Sequence, residues 1–192
     1  MDEGQHAEKT DSPSWTRGAL SILVMVFVVI VMAVLLRTFI FVPYEIPSKS
    51  MQDTIMPGDM VFSEKVSYYL HGPERGDIIT FTDPEVSTRT LIKRVVATGG
   101  QTVDLLDGKV YVDGQPIDEP YTGGKPSYAL SRTASGVNIS YPYTVPEGSV
   151  WVMGDNRTES QDSRYFGAIP VNSVSGRAAM VYWPVSSVKL LS

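Results

Sequence analysis

The stretch TLIKRVVATGGQTVDLLDGKVYVDG, Thr90 to Gly114, holds three short runs rich in apolar and β-branched residues, cut by Gly99-Gly100, Asp107-Gly108 and Asp113-Gly114. Runs of this length, bounded by glycine and aspartate, predict antiparallel strands joined by tight turns. In LLDGKVYVDG the Asp107-Gly108 pair fits a two-residue primed turn, because both residue types tolerate positive φ. Alternation then puts Val110 and Val112 on one face and Tyr111 on the other. The same pattern recurs on both sides, in MVFSEKV (60–66), DIITF (77–81), VNISYPYTV (137–145), SVWVM (149–153) and GRAAMVYW (176–183). An all-β, mainly antiparallel domain over residues 42–192 is the expected fold class. The polar stretch Tyr121–Gly136 is its expected loop or flap.

Ahead of these strands runs ALSILVMVFVVIVMAVLL, Ala19–Leu36, without a charge, and TFIFV continues it after Arg37. Roughly 23 residues at 1.5 Å each reach about 34 Å, enough for a hydrocarbon core of about 30 Å. A buried core helix and a cleaved signal peptide are the alternatives. Apolarity on all faces opposes the first as a surface helix, and Arg37 in place of a small-residue cleavage site opposes the second. The reading is a retained single-pass anchor, residues 19–41, with Arg37 snorkelling toward the interface. Residues 1–18 are polar, lack periodicity and are expected to form a disordered cytoplasmic tail. Lys9 and Arg17 on one side and Arg37, Lys49 and Lys65 on the other leave the charge rule for orientation undecided.

Composition removes several function classes. There is no cysteine, so thiolate catalysis, disulfides and cysteine-bound metals are excluded. The two histidines, His6 and His71, stand far apart and in polar settings, which excludes a His-based triad or a multi-histidine metal site. A net charge of −5 without a basic, aromatic-rich stripe argues against nucleic acid as a partner. No metal or other cofactor is expected.

The remaining nucleophiles are hydroxyls, lysine and carboxylates, and three segments concentrate them: PSKSM (47–51), LIKRVV (91–96) and MGDNRTESQDSRYFG (153–167). Neighbouring strand side chains point to opposite faces, so Lys93 and Arg94 cannot both enter one pocket. An unperturbed lysine, with a pKa of about 10.4, is almost wholly charged at neutral pH. Burial lowers that value and turns the amine into a general base, whereas guanidinium stays protonated. The plain alternative is a solvent-facing lysine on an edge strand. The third segment is either a long polar turn or a loop cross-linked by Asp155, Arg157, Asp162 and Arg164.

Together these segments, with a GD pair between the first two, resemble the bacterial type I signal peptidases, membrane-bound Ser/Lys proteases that remove signal peptides. The resemblance spans the anchor and most of the chain after it. It implies Ser50 as nucleophile, Lys93 as general base, and Ser48 as an oxyanion donor with the Ser50 amide. It further implies that Ser160 orients the lysine amine. Asp155, Asp162 and Arg164 are implied to brace the site through ion pairs, with Arg94 pairing Asp155. Where the family usually reads Ser-Met-x-Pro-Thr-Leu, this chain has Asp53 for proline and Ile55 for leucine. The family's second domain is expected to shrink to a hairpin and loop over 101–148. Ile46, Ile55 and Val95 are the expected pocket residues for small side chains before the cleaved bond. Signal peptides and the lipid bilayer are the implied partners, with the catalytic domain outside the cytoplasm on the cell membrane. Trp183, Tyr182 and Phe166 are candidates for either the bilayer interface or the core. Two other readings stay open on sequence alone: a non-catalytic tethered β domain that binds a partner by strand addition, and a Ser/Lys peptidase with a dedicated substrate, such as a pilin-processing enzyme or a self-cleaving repressor.

Overall fold

A computed structural model describes residues 14–39 and 41–191, and the chain divides into two compact units between Thr38 and Phe39. Among the described residues the first unit is taken up by a single helix, α1, Ser14–Phe39, whose last residue is counted with the second. From Gly18 to Leu35 it is long and apolar enough to cross a membrane by length and composition, and its side chains there stand exposed. The helix starts earlier than expected, taking in Ser14–Gly18 from the anticipated tail. Propagation adds one hydrogen bond for each residue fixed, so an established helix extends back until something stops it, and here Pro13 precedes its first residue. The expected tail over 1–13 and the side chain of Arg37 lie outside the described residues.

Among the described residues the second unit has twelve strands: β1 (Phe41–Glu45), β2 (Met60–Glu64), β3 (Ile78–Thr82), β4 (Thr90–Thr98), β5 (Thr102–Leu106), β6 (Lys109–Val112), β7 (Gln115–Pro116), β8 (Tyr143–Thr144), β9 (Ser149–Met153), β10 (Ile169–Pro170), β11 (Val174–Trp183) and β12 (Lys189–Leu190). Two one-turn helices, α2 (Ser67–Leu70) and α3 (Ser163–Phe166), complete it. All strand pairs are antiparallel. The larger sheet runs β1-β2-β11-β3-β4-β9-β10 with β12 on β11, and the smaller runs β7-β6-β5-β8. Sequence reading assigned Phe41 to the anchor and missed β1, because Pro43 reads as a strand breaker. The strand survives because it lies at the sheet edge, where a missing N–H costs no ladder bond. VNISYPYTV contributes only Tyr143–Thr144 to a ladder. Pro142, without an N–H, interrupts the rest.

Strand β4 organises the unit. It pairs with β3 in the register Ile79↔Lys93 and Ile78↔Arg94, and with β9 through Arg94↔Met153 and Val95↔Val152. The next partner of β9 is Ala97↔Trp151, so Val96 is an extra residue and the strand bulges there. Val96 and Ala97 therefore both join the cluster under the small sheet, with Val103, Val110, Val112, Val145, Trp151 and Met153. Asp107 (φ 50°) and Gly108 (φ 76°) form the expected turn, Val110 and Val112 are buried, and Tyr111 is half-buried.

Two further clusters fill the large sheet. One gathers Met51 and Ile55 against Val61, Ile78 and Val181; the other gathers Ile79, Phe81, Val95, Val152 and Ile169. Phe166 belongs to the latter, edge-on to Phe81 at 6.1 Å. Tyr182 stacks on Phe62 at 3.9 Å, while Trp183 is 53% exposed. All three clusters lie within the second unit. A chain truncated to begin at Val42 is accordingly expected to unfold cooperatively and to give a β-type far-UV circular dichroism spectrum; a helix-dominated spectrum would contradict this fold.

Candidate active site

Ser50 sits at the head of a tight turn between β1 and β2. The Gln52 amide donates to the Lys49 carbonyl at 2.9 Å, and the amides of Thr54 and Ile55 both donate to Met51. Met51 and Ile55, fully buried, anchor the turn into the core, so its backbone cannot drift. Asp53 stands where the family pattern has proline, and its φ of 80° is one that proline cannot adopt. The turn is therefore of a different kind, held from outside by an ion pair between Asp53 and Lys125.

Strand β4 delivers Lys93 to this turn. Its Nζ stands 2.6 Å from Ser50 Oγ and donates to the Ile92 carbonyl at 2.9 Å. The side chain is only 3% exposed. Burial pulls its pKa down to about 8, against the opposing pull of the Asp162, Asp155 and Asp83 carboxylates. A large fraction of the amine is thus neutral at mildly alkaline pH. Ser48 Oγ lies 3.2 Å from Ser50 Oγ. Ser160 is buried nearby, yet its hydroxyl makes no hydrogen bond of good geometry and the Ile92 carbonyl, not Ser160, holds the amine.

Opposite strand faces separate the two cations as expected. Arg94 turns away from the serine and forks onto Asp155, Nε to Oδ1 and Nη2 to Oδ2, both at 2.9 Å. Thr54 Oγ1 donates to the same carboxylate at 2.5 Å, which ties the serine turn to the segment after β9. Arg164 forks likewise onto Asp162 at 2.9 Å, and the Gly154 amide donates to Asp162 at 3.0 Å. Asp162 is fully buried, which alone would raise its pKa, but Arg164 and the Gly154 amide hold it below the usual carboxylate range. Gly154 itself leaves no room for a side chain, since a Cβ would overlap Ser160 Oγ and the Ser50 carbonyl.

Sequence reading named Arg157 as a possible cross-link without its partners, and did not mark Asn156 or Glu119 for the site. Asn156 donates its amide to the Ser50 carbonyl and its Nδ2 to the Lys49 carbonyl, both at 3.0 Å. Arg157, buried, donates to the Gly154 carbonyl, to both oxygens of Glu119 and to Ser127. The Tyr121 ring lies 4.0 Å from the Arg94 guanidinium. Asn156 and Arg157 belong to a motif dense in polar residues; Glu119 carries no local signal, because its partner is 38 residues away.

An apolar cleft of about 190 Å³ opens beside the amine, lined by Tyr44, Ile46, Pro47, Leu91 and Ile92. Of the three expected pocket residues only Ile46 borders it. Ile55 and Val95 are fully buried, one in each cluster of the large sheet; Val95 shares the Lys93 face of β4 but packs into the core with Ile79 and Val152. Among the described residues no group of three acidic, histidine or cysteine side chains could hold a metal ion.

The family model described as "Signal peptidase, peptidase S26" matches residues 19–183. A probable signal peptidase I-1 from Synechocystis sp. (strain PCC 6803) is 41% identical over 169 residues, covering 84% of this chain and 81% of that protein. A signal peptidase I from Leptolyngbya laminosa is 37% identical, over 82% of this chain and 76% of its own length. A solved signal peptidase I from Enterococcus faecalis V583 is 32% identical, with a TM-score of 0.45 over 57% of this chain and 98% of that one.

The buried amine has a thermodynamic signature. The unfolded chain holds its Lys93 proton up to the ordinary value of 10.5, whereas the folded chain releases it near 8. Between those limits the unfolded state binds more protons, so stability rises with pH. Below about pH 8 the penalty is complete, on the order of 3 kcal/mol at 1.36 kcal/mol per pKa unit. Lys93→Met is therefore expected to stabilise the fold at pH 7, with the gain fading as pH rises from 8 toward 10.5. Denaturant titrations of both proteins across that range check it.

Proposed function

Because the chain belongs to the signal peptidase (peptidase S26) family, we propose that it is a membrane-anchored serine endopeptidase that removes signal peptides from exported preproteins, with Ser50 as nucleophile and Lys93 as general base. The observation that carries the assignment of roles is the 2.6 Å approach of a buried, pKa-depressed amine to a serine hydroxyl. No other hydroxyl among the described residues combines such a partner with a cleft beside it.

In this reading the neutral Lys93 amine takes the Ser50 proton as Oγ attacks the carbonyl carbon before the scissile bond. The carbonyl oxygen becomes an oxyanion. The Ser50 backbone N–H has no acceptor among the described residues and is free to meet it, and the Ser48 hydroxyl is the second donor. Collapse breaks the carbon–nitrogen bond, and the nitrogen leaves with the proton from Lys93. The ester on Ser50 is then hydrolysed by water that Lys93 deprotonates. Ser160, buried with its hydroxyl unpartnered among the described residues, takes the family's role of steadying the amine once a substrate shifts it. Asp155, Asp162, Arg164 and Arg94 hold the frame. The apolar cleft at Ile46 takes small side chains before the bond. The anchor helix is the attachment to the bilayer, and the catalytic unit lies on the extracytoplasmic side of the cell membrane, where exported cleavage sites emerge.

The two serines separate in a kinetic comparison. Ser50→Ala is expected to abolish cleavage of an Ala-x-Ala preprotein and leave no ester intermediate. Ser48→Ala removes one donor to the oxyanion and is expected to lower turnover by about 10²–10³ with little change in KM. Ser48→Thr, keeping a hydroxyl, recovers part of the loss. Full inactivity at Ser48 with mere impairment at Ser50 would reverse the assignment.

The base is tested through pH. Wild-type kcat/KM is expected to rise along a single limb with a midpoint near the depressed lysine value of about 8. Lys93→Arg, which keeps the charge but has no accessible neutral form, is expected to be inactive at every pH. An arginine variant that still cleaves would remove Lys93 from the mechanism.

A further inference from the structure

We propose that a second cavity at the dyad receives the first residues of the mature protein, and that its carboxylates disfavour acidic residues there. The inference rests on the peptidase reading above and adds a specificity to it. Two cavities flank Lys93. The apolar one borders Ser48 and Lys93 without Ser50; the other, about 210 Å³, includes Ser50 itself. They share Ser48, Arg89, Leu91 and Lys93, so an extended peptide, advancing about 3.3 Å per residue, passes from one into the other across the dyad. The apolar cavity accounts for small residues before the bond. The nitrogen that leaves when the carbon–nitrogen bond breaks belongs to the residue after it, and that part of the chain is left with the second cavity.

The second cavity differs in character from the first. Its outer wall comes from the β3–β4 connection and the turn after β9, through Glu85, Glu159 and Gln161. Asp83, buried, is neutralised by its ion pair with Arg89 and accepts the amides of Glu85 and Val86. Glu85 is exposed, with one long contact from the Tyr165 hydroxyl at 3.4 Å. Glu159 is exposed and its carboxylate makes no ion pair or hydrogen bond with the described residues. Asp83 and Arg89 cancel, so with Lys93 in its neutral form Glu85 and Glu159 remain as uncompensated negative charge on the exit side of the serine. A carboxylate on the first mature residue is repelled there, a basic side chain is attracted, and the ammonium terminus created by cleavage meets charge of the opposite sign. The pairs are exposed, so the effect is modest and screened by salt.

The test uses the full chain in detergent and one Ala-x-Ala preprotein carrying Lys, Gln or Glu at its first mature position. The ratio of kcat/KM for the Lys substrate to that for the Glu substrate is expected to be about three to ten at low ionic strength. It is expected to shrink toward one in about 1 M salt, where the Debye length is about 3 Å. In Glu159→Lys, and separately in Glu85→Lys, the ratio should fall to one or invert; taken within one enzyme, it is insensitive to partial loss of folded protein. A ratio near one for the wild type at low salt, or one unchanged in both variants, overturns the subsite. Equal cleavage of all three substrates removes this inference alone, whereas cleavage of none removes the peptidase reading and the inference with it.

Discussion

An amine has to be taken out of water before it can act as a base near neutral pH, and the catalytic unit is arranged around that burial. Desolvation of Lys93 is the largest influence on its proton, and three carboxylates oppose it. Those carboxylates are themselves bound to guanidinium groups: Asp155 to Arg94, Asp162 to Arg164 and Asp83 to Arg89. Left unpaired, they would stabilise the ammonium and return the lysine toward its ordinary value. The arginines thus serve the amine indirectly, by occupying the charge that would otherwise hold its proton in place. Buried ion pairs are weak evidence for stability, and here their electrostatic service to Lys93 is the better account of them.

The serine is fixed by different means. Its turn is anchored from below by Met51 and Ile55, from the side by Thr54 on Asp155, and along the backbone by Asn156. Three of these four contacts are made by residues after Ser50 in the same turn, and the fourth comes from the segment following β9. Such over-determination is what the proposed nucleophile, placed on a loop, requires. The small sheet takes part as well. Glu119, ahead of its long loop, closes on Arg157, which grips Gly154 behind the serine.

Much of this was legible in the sequence and some was not. The strands around Thr90–Gly114, the Asp107-Gly108 turn and the opposed directions of Lys93 and Arg94 follow from period-two alternation and turn chemistry, which are local. The membrane-length helix follows from an uninterrupted apolar run. Strand β1 was missed because a proline is harmless only at an edge, and edge position is a property of the assembled sheet. Ile55 and Val95 lie in the core and not along the cleft for a similar reason: apolar residues next to polar site residues are as readily turned into the core as toward a groove. Glu119 shows the limit most clearly, since nothing near it in the chain marks it as the partner of Arg157.

The adjacency of Lys93 and Arg94 carries a consequence for how the chain assembles. The two differ by a single step along β4, and the ladder with β3 decides which of them meets the serine. A slip of one residue would turn every side chain of the strand to the opposite face. It would set a guanidinium, which never gives up its proton, against Ser50, and leave an ammonium too short to fork onto Asp155. Such a molecule would have the same composition and nearly the same sheet, and no chemistry. With the roles proposed for Ser50 and Lys93, register fidelity in one hairpin, set by the pairs from Thr82↔Thr90 through Phe81↔Leu91 to Ile79↔Lys93, separates an active chain from an inert copy of itself.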